Sequence, residues 1–202
     1  MDAGRPLWED EIADAVDRAA RSVARVEGRS RLAASGMVWN PDGIIVTANH
    51  VLERDEGVRV HLPDGRQFEA ALIGRDPATD VALLRVAEIG LEAADWIDLG
   101  GLRLGHSALV VARSADGPEA ARGIVAGLQG AWRTALGGSI DAYLRTDCPL
   151  RPGYSGGALT TRSGRVLGMV TSGLAPGTSL AIPTATLRRV ACALLEHGRI
   201  RR

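Results

Sequence analysis

The sequence predicts an all-β fold made of two six-stranded antiparallel barrels, with one helix before them and one after. Twelve short strand-like runs fall into two groups of six, and turn signals rich in Gly, Pro, Asn and Asp separate them. Helical segments do not alternate with these runs, which argues against a doubly wound α/β sheet. We therefore predict a single domain over residues 1–202, with a first barrel at 21–92, a second barrel at 93–183 and a closing helix at 184–198.

The first helix is predicted over residues 7–20, where Trp8, Ile12 and Val16 recur at helical spacing. Because Trp8 belongs to this apolar stripe, we expect it to pack in the core rather than to form an interface between chains. Turns are predicted at Asn-Pro-Asp-Gly and Pro-Asp-Gly, since Pro presets φ and Gly accepts positive φ. The first six strands are predicted at 22–27, 35–39, 44–47, 58–62, 67–74 and 80–86.

The second group of strands precedes a C-terminal helix over residues 184–197, for which Gly198 is a plausible stop. The stretches 114–122 and 132–139 are interpreted as loops. The strands of this group are predicted at 107–112, 123–129, 140–146, 157–161, 166–172 and 179–182.

The composition excludes several classes of protein. The chain has 202 residues, 24 Lys plus Arg and 24 Asp plus Glu, and every one of these basic residues is Arg. A net charge of zero gives no whole-chain attraction to nucleic acid, and no apolar run approaches the roughly 20 residues that span a bilayer. Neither nucleic acid nor a membrane is therefore expected as a partner. The lack of Lys excludes a Ser–Lys hydrolase and an ordinary P-loop NTPase.

The cysteines and the N-terminal sequence favour a cytoplasmic protein. Residues 1–11 are acidic and contain no apolar signal-peptide core. Cys148 and Cys192 are too few for a disulfide framework and have no partner at metal-ligand spacing, so we interpret them as reduced, partly buried thiols. Cys148 is disfavoured as a nucleophile because Pro149 follows it and a stronger candidate lies seven residues further on.

That candidate is Ser155, in the segment Pro-Gly-Tyr-Ser-Gly-Gly-Ala-Leu at residues 152–159. A Ser hydroxyl needs a base to take its proton and backbone N–H groups to stabilise the oxyanion. The flanking glycines permit a turn that exposes Oγ, so the N–H groups of Gly153 and Ser155 are the candidate oxyanion donors. Taken alone, the segment is explained equally well by a Gly-rich hairpin turn.

The same residues fit the Gly-x-Ser-x-Gly elbow of α/β-hydrolases. That fold places its His after the Ser, whereas the only later His in the sequence is His197, five residues from the end on a predicted surface helix. The chain order and the lack of βα alternation both argue against an α/β-hydrolase esterase.

His50 and Asp80 are the candidates for the base and its orienting carboxylate. His50 follows an apolar strand, while His61 lies within a strand and His106 lies in a loop. Asp80 opens a strongly apolar strand, where an unpaired acid costs free energy, so we expect it to pair with His50. Singly, a turn-capping Asp and a surface or core His are the simpler interpretations. The order His, Asp, Ser instead predicts a triad in a cleft between the two barrels.

Six segments together form one pattern, and they are residues 35–38 with 40–43, 46–51, 62–66, 74–84, 146–157 and 180–183. Together they resemble the protease domain of HtrA/DegP-type serine peptidases of the trypsin fold. The resemblance extends over nearly the whole chain and implies a double β-barrel with a C-terminal helix. It implies peptide-bond hydrolysis by a triad of His50, Asp80 and Ser155, with oxyanion N–H groups at Gly153 and Ser155 and without metal or cofactor.

The chain departs from the family pattern close to the nucleophile. Arg151 and Tyr154 stand where the family usually has Asn, and Ala158 replaces a usual Pro. These departures motivate an alternative function, an inactive or partner-activated protein-binding module on the same fold. Because the sequence ends at Arg202, regulation by a PDZ domain in the same chain is not expected. The expected partner is a polypeptide substrate, and a separately encoded regulator and a homo-oligomer are further hypotheses.

Residues near the nucleophile also predict the substrate preference. Pro149 and Leu150 are expected to line an apolar S1 pocket, in which a charged side chain would be buried without a partner. Cleavage is therefore expected after small or medium apolar residues such as Val, Ala or Leu. Thr171, Ser172 and Gly173 are expected to pair with the substrate backbone as an added strand.

Overall fold

The computed structural model describes residues 7–30 and 32–198, and it contains two closed antiparallel barrels of six strands each. The first barrel closes in the order β1-β2-β3-β6-β5-β4 and the second in the order β11-β14-β13-β12-β7-β8. The predicted fold class is confirmed. The elements are α1 (Leu7–Ala20), β1 (Val23–Glu27), β2 (Ala34–Asn40), β3 (Ile44–Ala48), β4 (Val58–His61), β5 (Gln67–Asp76), β6 (Val81–Val86), β7 (Ser107–Ser114), β8 (Gly117–Gln129), β9 (Trp132–Arg133), β10 (Ser139–Ile140), β11 (Tyr143–Thr146), β12 (Ala158–Thr160), β13 (Val166–Thr171), β14 (Leu180–Pro183) and α2 (Thr184–His197).

The buried apolar residues form two clusters, one of which contains residues of both barrels and so joins them beneath the site, while the other lies within the second barrel. In the first barrel all five residues of β3 are buried, and β3 pairs with β6 from Ile44↔Arg85 to Ala48↔Val81. Side chains of α2 join the same core as β3, and so do Val166 and Met169 of β13. At the end of α2, Gly198 adopts φ 67° and its N–H donates to the carbonyl of Leu194 at 2.8 Å, which confirms the predicted helix stop.

Two predicted loops are partly strand. Residues 117–122 belong to β8, which forms a long hairpin with β7 in the register Ser114↔Gly117 to Ser107↔Ile124. This half of β8 alternates between half-buried and exposed residues and contains Ala, Glu and Arg, so pairing with β7 imposes the strand rather than local propensity. The predicted loop 132–139 contains β9 and the first residue of β10, and the predicted strand 140–146 is divided between β10 and β11.

The expected core position of Trp8 is wrong. Its side chain is 45% exposed, and the guanidinium of Arg122 lies 5.1 Å from the ring centroid. The apolar face of α1 is instead buried through Ala15, Ala19 and Ala20. Within residues 7–30 and 32–198 the α-helices are α1 and α2, and neither is long and apolar enough to cross a membrane.

Candidate active site

His50 lies directly beyond a fully buried strand of the first barrel. After Ala48 ends β3, residues Asn49–Val51 form one turn of 3₁₀ helix. The N–H of Asn49 donates to the carbonyl of Asp80 at 3.1 Å, so the turn is attached to the residue before β6. The β3–β6 pairing thus brings His50 and Asp80 together although they are 30 positions apart in the chain.

Asp80 is buried, with 3% exposure, and its carboxylate accepts three hydrogen bonds. Oδ1 accepts the backbone N–H of His50 at 2.8 Å, and Oδ2 lies 2.8 Å from His50 Nδ1. The hydroxyl of Thr171 donates to Oδ2 as well. A carboxylate in this position fixes the imidazole ring and keeps its proton on Nδ1, which leaves the Nε2 lone pair free to act as a base. Asp80 adopts φ 59°, a left-handed conformation that Asp tolerates better than most residues.

Ser155 lies in a turn between two glycines that need their positive φ. Gly153 has φ 96° and Gly156 has φ 90°, and a Cβ on Gly156 would lie 1.9 Å from the carbonyl oxygen of Ser35. The turn is attached to β2, because the N–H of Ser35 donates to the carbonyl of Ser155 at 3.0 Å. The Ser35 hydroxyl donates to the carbonyl of Gly153, also at 3.0 Å.

The two predicted oxyanion donors are unoccupied N–H groups. Among residues 7–30 and 32–198, neither the N–H of Gly153 nor that of Ser155 donates a hydrogen bond. The intervening N–H of Tyr154 is used, since it donates to the carbonyl of Arg151 at 3.1 Å. An unpaired N–H on the Ser itself and another two residues before it are what a developing oxyanion requires.

The Ser155 hydroxyl contacts Ser172. The two Oγ atoms are 3.1 Å apart, and the N–H of Ser172 donates to Ser155 Oγ at 3.3 Å. Within the described part of the chain, Ser155 Oγ makes no hydrogen bond to His50. The next residue, Gly173, lies against the His50 ring, because a Cβ on Gly173 would be 2.5 Å from His50 Nδ1. Ser155 therefore contacts Ser172, and the His50–Asp80 pair lies beside Gly173, the next residue along the chain.

The predicted S1 residues differ in their environment. Leu150 is half-buried against the core of the second barrel, whereas Pro149 is exposed. Cys148 is fully buried, and burial raises the pKa of its thiol, which is unsuited to nucleophilic attack. Cys192 is exposed, so the description of both thiols as partly buried is wrong.

Arg113, which binds the Ser35 side chain and so supports the nucleophile turn, was not predicted from the sequence. The N–H of Arg113 donates to Ser35 Oγ at 3.0 Å, and the Arg113 guanidinium donates to the carbonyls of Val23 and Ala20 at 2.6 and 2.9 Å. Burial lowers the pKa of this guanidinium below its usual value. Arg113 lies at the end of β7, in a stretch without a recognisable motif, so no local signal identified it.

Comparisons with known proteins identify the family to which this fold belongs. The sequence profile described as "Trypsin-like peptidase domain" matches residues 34–169. The chain is 32% identical over 177 residues to the periplasmic serine endoprotease DegP of Escherichia coli, covering 83% of this chain and 37% of DegP. It is 34% identical over 176 residues to the periplasmic pH-dependent serine endoprotease DegQ of Escherichia coli, covering 83% of this chain and 38% of DegQ. The chain thus spans little more than a third of the length of these relatives.

Solved structures show the same similarity. The HtrA-type protease AlgW with a tripeptide superposes with a TM-score of 0.80 at 32% identity, covering 94% of this chain and 65% of AlgW. Deg5 superposes with a TM-score of 0.83 at 26% identity, covering 96% of this chain and 98% of Deg5.

The relatives also correct one prediction. DegP and DegQ are named as periplasmic enzymes, so the cytoplasmic location predicted from the N-terminal sequence and the two cysteines is wrong. The fold, the profile match over residues 34–169 and the similarity to HtrA-type proteases lead to the same assignment. The chain belongs to the family of trypsin-like peptidase domains.

Proposed function

We propose that this chain is a serine endopeptidase in which His50, Asp80 and Ser155 act as a catalytic triad. The observation that carries the proposal is the turn at Gly153–Gly156, which presents Ser155 with two unpaired N–H groups next to a His held by a buried carboxylate. The names of the relatives, serine endoproteases, support the same reaction.

The proposed reaction is acyl transfer. Ser155 Oγ attacks the carbonyl carbon of the peptide bond while His50 Nε2 takes the hydroxyl proton, and Asp80 stabilises the imidazolium that forms. The N–H groups of Gly153 and Ser155 bind the oxyanion. His50 then protonates the leaving amine, and water repeats the sequence on the acyl-enzyme. Before attack, the Ser155 hydroxyl must leave Ser172 and turn toward His50.

Labelling with a fluorophosphonate tests this proposal. Fluoride leaves as Ser155 Oγ bonds to phosphorus, so the wild type is expected to gain one adduct on Ser155, detected by intact mass and peptide mapping. The variant Ser155→Ala is the control and is expected to gain none. Labelling that is equal in the two proteins, or located on another residue, contradicts the proposed nucleophile.

A second candidate function is a binding module that is inactive or switched on by a partner. The contact of Ser155 Oγ with Ser172 instead of His50 favours it, because the nucleophile is not activated in this arrangement. The labelling experiment separates the two, since an inactive module gives no Ser155 adduct even when activating peptides are added. A partner-activated enzyme gives the adduct only with such peptides.

The substrate preference remains part of the proposal. Pro149 and Leu150 are proposed to line the S1 pocket, and of the two Leu150 offers an apolar, half-buried side chain while Pro149 is exposed. In fluorogenic peptides that differ only at the P1 position, we expect kcat/KM after Val or Leu to exceed that after Arg by about 100-fold or more, because burying an unpaired charge costs several kcal/mol. Dominant cleavage after Arg contradicts the apolar pocket.

A polypeptide is the proposed substrate, and Thr171, Ser172 and Gly173 at the end of β13 are proposed to pair with its backbone. The homo-oligomer and the separately encoded regulator also remain proposals. Trp8 supports the first of these, because its large apolar side chain is 45% exposed on α1. Light scattering on the wild type and on Trp8→Ala measures whether the chain self-associates through this helix.

A further inference from the structure

The residue that separates the two oxyanion donors is a buried tyrosine with a specific partner. Tyr154 is 3% exposed, packs in the apolar core of the second barrel, and its hydroxyl donates to Glu119 Oε2 at 3.2 Å. Glu119 lies on β8 directly opposite Ala112 of β7. Because opposite residues share a face of the sheet, Glu119 lies beside the small Ala112, and its carboxylate reaches the Tyr154 hydroxyl.

The backbone of Tyr154 orients the Ser155 N–H directly, and it acts on the Gly153 N–H only through Gly153 itself. The peptide bond after it carries the N–H of Ser155, and the peptide bond before it carries the Gly153 carbonyl that accepts the Ser35 hydroxyl. The N–H of Tyr154 donates to Arg151, and its own carbonyl accepts the N–H of Gly157 at 2.9 Å. The turn has positive φ at Gly153 and Gly156, where glycine gives little resistance to rotation, so its conformation depends on these attachments.

We propose that Tyr154 and Glu119 are positioning residues for the oxyanion hole: their hydrogen bond holds the Tyr154 ring at a fixed depth and so aims the N–H groups of Gly153 and Ser155 at the reacting carbonyl. This inference rests on the proposed peptidase function and extends it to two side chains, those of Tyr154 and Glu119, that bond to each other and not to the Ser155 hydroxyl.

The surroundings of the Tyr154 hydroxyl keep it protonated, so that it can donate to Glu119. Burial raises the pKa of the Tyr154 phenol, and the charge of Glu119 and the hydrogen bond to it raise the pKa further, against a smaller opposing effect of Arg151. The phenol therefore keeps its proton at neutral pH and continues to donate to the carboxylate. Hydrogen bonds to a charged acceptor are stronger than neutral ones, which suits an anchor for a turn rich in glycine.

The test is the substitution Tyr154→Phe, which keeps the ring and removes the hydroxyl. We expect kcat to fall about 10-fold, less than the loss caused by removing an oxyanion donor outright, while KM and the melting temperature change little. Glu119→Ala is expected to lower kcat similarly. The double variant is expected to lose no more than either single one, because both remove the same hydrogen bond. Glu119→Gln retains an acceptor and is expected to recover most of kcat.

A peptide boronate separates positioning from general packing. Ser155 Oγ bonds to boron, the hydroxyl proton passes to His50, and an oxygen of the tetrahedral adduct takes the oxyanion position. Boronate affinity is expected to fall in Tyr154→Phe by the same factor as kcat. Tyr143→Phe is the matched control. The ring centroids of Tyr143 and Trp132 are 5.8 Å apart, away from the nucleophile turn, so this variant is expected to change neither kcat nor boronate affinity.

Three results would overturn the positioning role of Tyr154 and Glu119. Wild-type values of kcat and boronate affinity in Tyr154→Phe overturn the inference and leave the peptidase proposal intact. A rise in KM at constant kcat also overturns it, because this would indicate a role in substrate binding. A wild type that reacts with neither fluorophosphonate nor boronate removes the proposed function and the inference together.

Discussion

Replacement of Asp80 by Asn is expected to lower kcat by about 10⁴-fold. Three donors converge on the Asp80 carboxylate: His50 N–H on Oδ1, and His50 Nδ1–H and the Thr171 hydroxyl on Oδ2. An amide has only one acceptor oxygen. If its NH₂ occupies the Oδ2 position, it donates to His50 Nδ1 and moves the ring proton to Nε2, where the base needs its lone pair. If the amide is reversed, its NH₂ takes the Oδ1 position, where it cannot accept the backbone N–H of His50.

Steady-state kinetics with a peptide ester, followed by active-site titration, measures this loss. The matched control is Asp98→Asn, an exposed carboxylate that pairs with Arg188 at 3.1 Å and is expected to leave kcat unchanged. Circular dichroism must show that Asp80→Asn retains the fold. A folded Asp80→Asn protein with kcat within 10-fold of the wild type would contradict the assigned role of Asp80, because tautomer control is expected to dominate.

The sequence predicted the parts of this molecule that local pattern determines. Most of the barrel strands alternate or run apolar between recognisable turns, and for these the structure changes mainly their ends; the first half of β8 and the divided strand 140–146 are the exceptions. The pairing of His50 with Asp80 was predictable, because an acid that opens a buried strand needs a partner. The assigned catalytic roles of these residues and of Ser155 stay predictions until the variants are measured.

The remaining features depend on contacts between distant parts of the chain. The hydroxyl of Thr171 reaches Asp80 across 91 positions, and that of Tyr154 reaches Glu119 across 35. Glu119 lies in a stretch whose composition indicated a loop, and only its pairing with β7 makes it a strand. Neither contact has a signature at the level of residue spacing, because the first joins the two barrels and the second depends on the closed second barrel.

Substitution of Gly173 by Ala is expected to lower kcat by about 100-fold or more while the protein remains folded. Gly173 does not adopt a positive φ, so its backbone accepts a side chain. The obstacle is the site itself: a Cβ would lie 2.5 Å from His50 Nδ1 and 2.8 Å from Asp80 Oδ2. The added methyl must push the imidazole away from the carboxylate, and a displacement of about 1 Å at a catalytic group costs roughly 10²-fold in rate.

Gly100→Ala is the matched control, because no heavy atom lies within 4 Å of the position of its Cβ and its φ is not positive. Both variants are expected to melt within a few degrees of the wild type, and only Gly173→Ala is expected to lose activity. ¹H NMR provides a readout independent of turnover, since the proton shared by His50 Nδ1 and Asp80 should lose its downfield resonance in Gly173→Ala alone. Retention of that resonance together with full activity would show that the segment after β13 yields easily, so that Gly173 does not constrain the His50–Asp80 pair.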